Sequence, residues 1–449
     1  MEMEVELTLR KGNGAYVADL RARQSEDNEL RAGPFLFVID PAELANLEQE
    51  PERYGQALSD ALFQENGLVW ALGMTYGIAR GLNHRLRMRL LIDRSAPELD
   101  LLRWELLRIP GSTECLSTRD DILFSRYAPK RRDPPPPRPA AKLRALVAVS
   151  DPKGAHKKGH LAPLAEAFNK QFFVESLSGI AVDFLPDAPG EHCTLDLLAG
   201  RAAGHDILIL MAHSKQTAKG WHVLLQDSAG KTRAVRVERL CARLQALREL
   251  PRLVLLLGDD SAAVAASLMN ELGIPAVIGI HGPMLQETAW LFLPALFDAL
   301  RLDGAIDHAV ASARRAIGEN CEDWPPVLYT SLTSGILWRD LLPADPARPV
   351  VAGAPAAASP PKPAGGAAVA VPADPNAPDR KALYALLAGP AFDLEGIEEL
   401  CFFLQIEWDS LKGQAQSAKA RSLIAYLEKR KRLLELVEEI RRLRPELDL

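Results

Sequence analysis

The chain opens on strict alternation, with Val5, Leu7 and Leu9 set against Glu6, Thr8 and Arg10, the two-residue period of a strand with one buried face. Helical spacing follows over 54–63 and 68–82, and then a strand is predicted over 86–92, with Arg at alternate positions. The short apolar stretch 101–107 holds Trp104 and Glu105, which read as core packing around a paired buried carboxylate. From residue 142 the pattern changes to short, continuously apolar runs, each followed by an amphipathic stretch. Strands are predicted over 144–150, 181–185, 206–212, 253–258 and 276–280, and helices over 161–176, 193–203, 237–247, 262–272 and 287–300. Apolar strands alternating with amphipathic helices imply a mostly parallel sheet covered on both faces. The last stretch is helical by pattern, over 381–387, 394–405, 417–430 and 433–442, and suggests a small bundle.

Proline divides these regions. Of 33 prolines, six fall within 129–139 and ten within 343–378, marking two linkers. The first is stiffened by Pro134 to Pro137. The second mixes Ala, Gly and Pro without apolar periodicity, too little to offset the entropy of ordering it. The expected organisation is an N-terminal α+β piece (1–128), a linker (129–141), an α/β piece (142–342), a disordered linker (343–379) and a helical domain (380–449).

Composition narrows the function classes. At 449 residues, 48% hydrophobic and 25% charged, the chain has ordinary globular values. No apolar run approaches the ~20 residues that span a bilayer, and the acidic start is unlike a signal peptide, so a cytoplasmic protein without a membrane partner is expected. A net charge of −6 supplies no field for collecting nucleic acid. Cys115, Cys193, Cys241, Cys321 and Cys401 lie far apart with no CxxC pair, which fits a reducing compartment.

Ligands and chemistry gather at the carboxyl ends of parallel strands. Here three predicted strands end in Ala212-His213-Ser214, in Gly258-Asp259-Asp260-Ser261 and in His281-Gly282. An imidazole beside a nucleophile is the arrangement of nucleophilic hydrolysis. Other readings stay open: His213 as a structural histidine, Asp259 and Asp260 as caps for the helix from 262, Ser261 as a cap or a hydroxyl nucleophile. His213, Asp260 and His281 together would be a two-His, one-carboxylate metal set.

The middle piece resembles the CHAT domain, a caspase-like peptidase domain of the clan that includes caspases and separase. The resemblance rests on 206–213, on 253–261, on Leu272-Gly273-Ile274-Pro275-Ala276-Val277-Ile278-Gly279, on 309–316 and on 324–329. Upstream, Trp104-Glu105-Leu106-Leu107 looks like a segment common in that family. The resemblance implies a three-layer caspase-like α/β fold with a mostly parallel sheet and an N-terminal α+β subdomain. It puts the family's catalytic His on His213, followed by Ser214 where Gly is usual, and the family's nucleophilic Cys on Asp260. A carboxylate cannot form a thioester, so a pseudopeptidase that binds a peptide in its cleft is expected, needing neither cofactor nor metal. The alternative is an active hydrolase using His213 with Ser261 or with a displaced thiol such as Cys241.

Residues 380–449 carry twelve basic and twelve acidic side chains, acidic first (Glu395, Glu398, Glu399, Glu407, Asp409) and basic after (Lys419, Arg421, Lys429-Arg430-Lys431-Arg432). Segregated charge suits head-to-tail association of like modules. The region around Ile397 to Leu404, Trp408 and 418–426 resembles the effector-associated domains of bacterial conflict systems, small death-fold-like adaptors. That resemblance implies a protein partner carrying a matching domain, with the long linker as a tether.

Overall fold

The computed structural model describes residues 2–25, 28–109, 112, 114–129, 138, 139, 143–152, 169–283, 286–318 and 325–339, and scattered positions from 383 to 442. The chain forms two compact units, Met1–Pro355 and Ala356–Leu449. Most of both proline-rich linkers, the stretch 153–168 and Cys321 lie outside the described residues.

The strands of the first unit are β1 (Glu2–Lys11), β2 (Tyr16–Ser25), β3 (Asn28–Phe37), β4 (Arg85–Ile92), β5 (Ile122–Tyr127), β6 (Arg138–Pro139), β7 (Arg144–Val149), β8 (Ala181–Leu185), β9 (Ile207–Met211), β10 (Ser214–Thr217), β11 (Gly220–Gln226), β12 (Thr232–Arg236), β13 (Leu253–Leu256), β14 (Ala276–Ile280), β15 (Pro326–Thr330) and β16 (Trp338–Arg339). Eleven of them form one sheet in the order β3-β2-β1-β4-β5-β15-β14-β13-β9-β7-β8, while β10-β11-β12 and β16-β6 form small sheets of their own. The pieces on either side of the first linker therefore share a single sheet. Parallel pairing runs through β1-β4-β5-β15 and through β14-β13-β9-β7-β8, and the two blocks meet at the antiparallel pair β14-β15. Carboxyl ends of the two blocks consequently lie on opposite edges of the sheet.

Alternation in the sequence decides the layers. Odd positions of β7, β9 and β13, including Val147, Ile209 and Leu255, pack with helices Gln286–Asp303 and Ile306–Ile317. Even positions, including Leu146, Leu208 and Val254, pack with helices Leu195–Ala202, Val237–Gln245 and Ala262–Leu272. In the other half, helices Pro51–Leu62 and Asn66–Gly81 share a core with the alternate apolar residues of β1 and β4. The fold is a three-layer, mostly parallel α/β arrangement, as the pattern requires.

Several elements differ from the expectation. Asn169 caps a helix Lys170–Ser176 by accepting from the N–H groups of Gln171 and Phe172, so no single helix runs through 161–176. Strands β2, β3, β5 and β15 and the hairpins β10–β12 were not legible, because their sequences mix charges or are too short for a clear period. The arginines inside β4, Arg87 and Arg89, are not on a wetted face. Arg87 is buried and pairs with Asp307 (2.6 Å) and Glu2 (2.6 Å), and Arg89 pairs with Glu4 (3.2 Å) and lies over the Tyr127 ring.

In the second unit the described positions of the four expected helical segments share one cluster, from Leu383 and Leu387 through Leu400, Cys401 and Leu404 to Leu423, Leu427, Leu436 and Ile440. Of the charged residues that suggested head-to-tail contacts, only Lys419 is among the described residues.

Helix Ile306–Ile317 is fastened to the first strand by charge. His308 lies between Asp303 (Nδ1 to Oδ2, 2.5 Å) and Glu2, and these hydrogen bonds raise its pKa to about 9. A histidine raised in the folded state contributes stability that is whole below its unfolded pKa, near 6.5, and is lost as pH rises towards 9. That loss is on the order of 3 kcal/mol. Urea unfolding at pH 6 and pH 9.5 is expected to show it, and His308→Gln should flatten the difference; an equal pH slope in the variant would remove His308 from the fastening.

Candidate functional site

Strands β9, β13 and β14 are neighbours, so their carboxyl ends form one edge. The chain holds this edge tightly. Gly258 follows β13 where a Cβ would come within 1.9 Å of the Ala212 carbonyl oxygen, a close approach only glycine permits. The Leu257 N–H donates to the Leu210 carbonyl (2.9 Å), and the His213 carbonyl accepts from Leu224 of β11 (2.9 Å). Backbone on both sides thus fixes His213 at the end of β9.

His213 is 1% exposed, and its Nδ1 lies 3.2 Å from Oδ2 of Asp259, whose side chain is 17% exposed. Asp259, not Asp260, is therefore the carboxylate that faces the histidine. Asp260 points elsewhere for a geometric reason. It sits in the left-handed region at φ 48°, tolerated by aspartate better than by most residues. There its carboxylate accepts from the Gly282 N–H (2.8 Å), while its own N–H donates to the Gly282 carbonyl (3.0 Å). Asp260 is a clasp between the ends of β13 and β14.

Ser261 is likewise committed. Its buried hydroxyl donates to the Leu256 carbonyl (2.7 Å) and accepts from the Ile280 N–H (3.0 Å), and it makes no side-chain cap for the helix that follows. Both of its expected roles, helix cap and nucleophile, need a hydroxyl that is instead bonded between two strands.

His281 belongs to a different cluster. Its Nε2 lies 3.0 Å from Nη2 of Arg126, and burial, with Arg126 and Arg103 nearby, pushes its pKa well below the ordinary histidine value. It is a neutral acceptor for a guanidinium. His213, Asp260 and His281 do not converge, and among the described residues no group of three His, Cys, Asp or Glu side chains could hold a metal ion.

Thiols are no nearer to the task. Cys241 is buried on its helix, where burial and Glu271 push its thiol up to about 12. Cys193 is raised to about 12 as well, by burial and then Glu191, and Cys115 is a buried donor to the Leu106 carbonyl. A thiol held protonated is a poor nucleophile.

Two arginines that sequence reasoning passed over organise the surroundings. Arg126 of β5 is wholly buried and forked onto Glu105 (Nε 3.0 Å, Nη2 2.6 Å), and it also donates to the carbonyls of Asp100 (2.6 Å) and Leu102 (2.7 Å). Arg314 crosses from its helix to the carbonyls of Pro326 (2.7 Å) and Phe124 (2.8 Å), tying β15 to β5. Their signal was a charge inside an apolar run, as in Ile122-Leu123-Phe124-Ser125-Arg126. The paired carboxylate expected at Glu105 is this ion pair.

A family model of the CHAT domain matches residues 52–334, more than half of the chain. The chain belongs to the CHAT-domain family. An effector-associated domain 7 model matches residues 387–445. Among solved structures, the Saccharomyces cerevisiae separase–securin complex matches at 14% identity and a TM-score of 0.35, over 54% of this chain and 16% of that one. No curated protein matches the chain. The CHAT model begins inside helix Pro51–Leu62, yet β1 to β3 upstream extend the same sheet, so this CHAT body includes the N-terminal hairpins.

Removing one partner of a buried ion pair leaves an uncompensated charge and costs roughly 3–5 kcal/mol. Glu105→Ala is expected to lower stability by about that much, read as a drop in the urea midpoint, and Glu105→Gln by less. A cost under about 1 kcal/mol would mean that water reaches Arg126 in the folded state.

Proposed function

We propose that the CHAT body is a pseudopeptidase, a peptide-binding or partner-binding module without its nucleophile, brought into place by its effector-associated domain in a bacterial defence or regulated-death pathway. One observation carries this reading: the group that meets the His213 imidazole at the strand ends is the Asp259 carboxylate. A thiol at that place would be activated by the histidine and attack a carbonyl. A carboxylate there pairs with the imidazole and leaves no sulfur to carry an acyl group. In this reading the substituted nucleophile position is Asp259, one residue before the Asp260 that the resemblance implies.

The second reading is an active hydrolase with Ser261 or a displaced thiol. The bonds of the Ser261 hydroxyl and the raised thiols of Cys241 and Cys193 weigh against it. Cys321, outside the described residues, keeps the displaced-thiol form of this reading open to test.

For recruitment, the support is the effector-associated model together with the clustered helical positions in the second unit. The partner is taken to be a protein carrying a matching domain, and the linker 343–379 would hold the CHAT body at high local concentration near it.

Alkylation with iodoacetamide, mapped by mass spectrometry, separates the two readings. The unmodified chain is expected to react slowly at every cysteine, while Asp259→Cys gains a thiol that reacts at least ten-fold faster and loses that advantage when His213→Ala is added. Fast labelling of the unmodified chain at Cys241 or Cys321, or of Ser261 by a fluorophosphonate, abolished by His213→Ala, would establish the hydrolase instead. Deleting residues 380–449 is expected to abolish co-purification with a partner that carries an effector-associated domain; retention of that partner would refute recruitment through the tail.

A further inference from the structure

The small sheet β10-β11-β12 begins directly after His213, and its last strand has an open side. Paired residues along an antiparallel ladder alternate between bonded and non-bonded positions, so successive residues of a strand turn their backbone groups to opposite sides in the plane of the sheet. On β11 the Leu224 N–H donates to the His213 carbonyl (2.9 Å) and the Gln226 N–H to the Cys193 carbonyl (3.0 Å), both away from β12. Val223 and Leu225 therefore turn their backbone groups towards β12, where their partners are Val235 and Arg233. The N–H and C=O groups of Thr232 and Ala234 point the other way, off the edge, and no backbone group of a described residue outside the sheet meets them. A free row of this kind is a template for another strand. On β3, the outer strand of the large sheet, the Leu36 N–H is instead taken by the Glu65 carboxylate (2.7 Å).

Charge marks the same edge. Strand β12 reads Thr232-Arg233-Ala234-Val235-Arg236, with two cations, no acid and every side chain exposed except Val235. Arg87, Arg89 and Arg126 are each fastened to a carboxylate, whereas Arg233 and Arg236 meet none among the described residues. Lys215 stands in one cross-strand row with His222 and Arg236, and it too is exposed and meets no carboxylate among them. The acids close by in the sequence are placed elsewhere. Asp227 accepts from the N–H groups of Ala229 (2.9 Å) and Lys231 (2.8 Å) in its own turn, and Glu238 belongs to helix Val237–Gln245 beyond the strand. In a chain of net charge −6 this is a positive stretch on an open strand edge.

We infer that the free edge of β12 binds an extended acidic segment of a partner protein, which adds to the small sheet as a fourth strand. Main-chain bonds to Thr232 and Ala234 supply affinity, and the arginines select an acidic sequence. Arg233 and Arg236 are three residues apart and so lie on opposite faces of the strand. The segment that fits both carries carboxylates at the same spacing. Nucleic acid is the poorer fit, since the edge offers backbone donors and acceptors in strand register, which a peptide matches and a sugar–phosphate chain does not. The edge is two strands away from the one that continues His213, and the inference does not depend on whether the CHAT body cleaves peptides.

Fluorescence anisotropy of the full chain with a labelled peptide amide, Thr-Glu-Val-Thr-Glu-Val, at low ionic strength tests the assignment. The same peptide with Lys for each Glu and a short oligothymidylate serve as comparisons, and the acidic peptide is expected to bind best. Replacing both arginines, Arg233→Glu with Arg236→Glu, should weaken it about five-fold, the worth of two cross-strand charge pairs, and make the Lys peptide the tighter ligand. Ala234→Pro removes an outward N–H while keeping every charge and every bond to β11, so it should weaken the acidic peptide about three-fold. Both arginines are exposed, so their replacement leaves the fold intact and keeps the test valid if the proline variant unfolds. Undiminished binding to the charge-reversed variant or to a folded Ala234→Pro chain, equal binding of the Lys peptide, tighter binding of oligothymidylate, or no binding of the acidic peptide would overturn it.

Discussion

The guanidinium of Arg126 is the point on which the two halves of the CHAT body meet. Strand β5 pairs with β15 at only two positions, Tyr329 with Arg126 and Thr330 with Tyr127, so backbone pairing alone is a short seam. From that seam Arg126 reaches Glu105, two carbonyls of the preceding turns, the Tyr329 hydroxyl (3.2 Å) and His281. A buried ion pair gains little over a well-packed apolar substitute, but it penalises every arrangement that leaves either charge alone. The pair thus selects one registration of the N-terminal half against the α/β half. Arg314 repeats the device from the helix side with backbone acceptors, and Arg87 with Asp307 and Glu2 repeats it at the N-terminal strand.

The edge with His213 is built with the same economy of unpaired groups. Asp260 and Gly282 exchange two hydrogen bonds, Ser261 bridges β13 and β14, and Gly258 lets β13 close against Ala212. A peptidase needs such rigidity to hold a nucleophile and base in register. Here that rigidity holds the Asp259 carboxylate opposite the His213 imidazole.

Much of this was legible in the chain, because burial imposes periodicity. The five central strands and four of their five helices follow from apolar runs and amphipathic stretches, and the CHAT and effector-associated modules from ordered motifs. Strands β2, β3 and β5 and the hairpin after His213 were hidden, since an antiparallel edge or a strand with buried arginines has no clean alternation until its partners are known. Among the candidate site residues, the sequence put His213 and Asp259, Asp260 and Ser261 at strand ends, and the cap roles it offered Asp260 and Ser261 give way to bonds between the ends of β13 and β14.

Sequence by itself determined the sheet order's raw material, the module series and the absence of a cysteine from the tetrapeptide Gly258-Asp259-Asp260-Ser261. Only the tertiary structure decided which aspartate faces His213. In an extended strand neighbouring side chains point to opposite sides, but past the strand end one left-handed residue, Asp260, turns the chain, so direction there depends on backbone dihedrals set by contacts with Gly282. The same holds for the arginines: a charge in an apolar run states that a partner exists, and only the folded chain supplies which one.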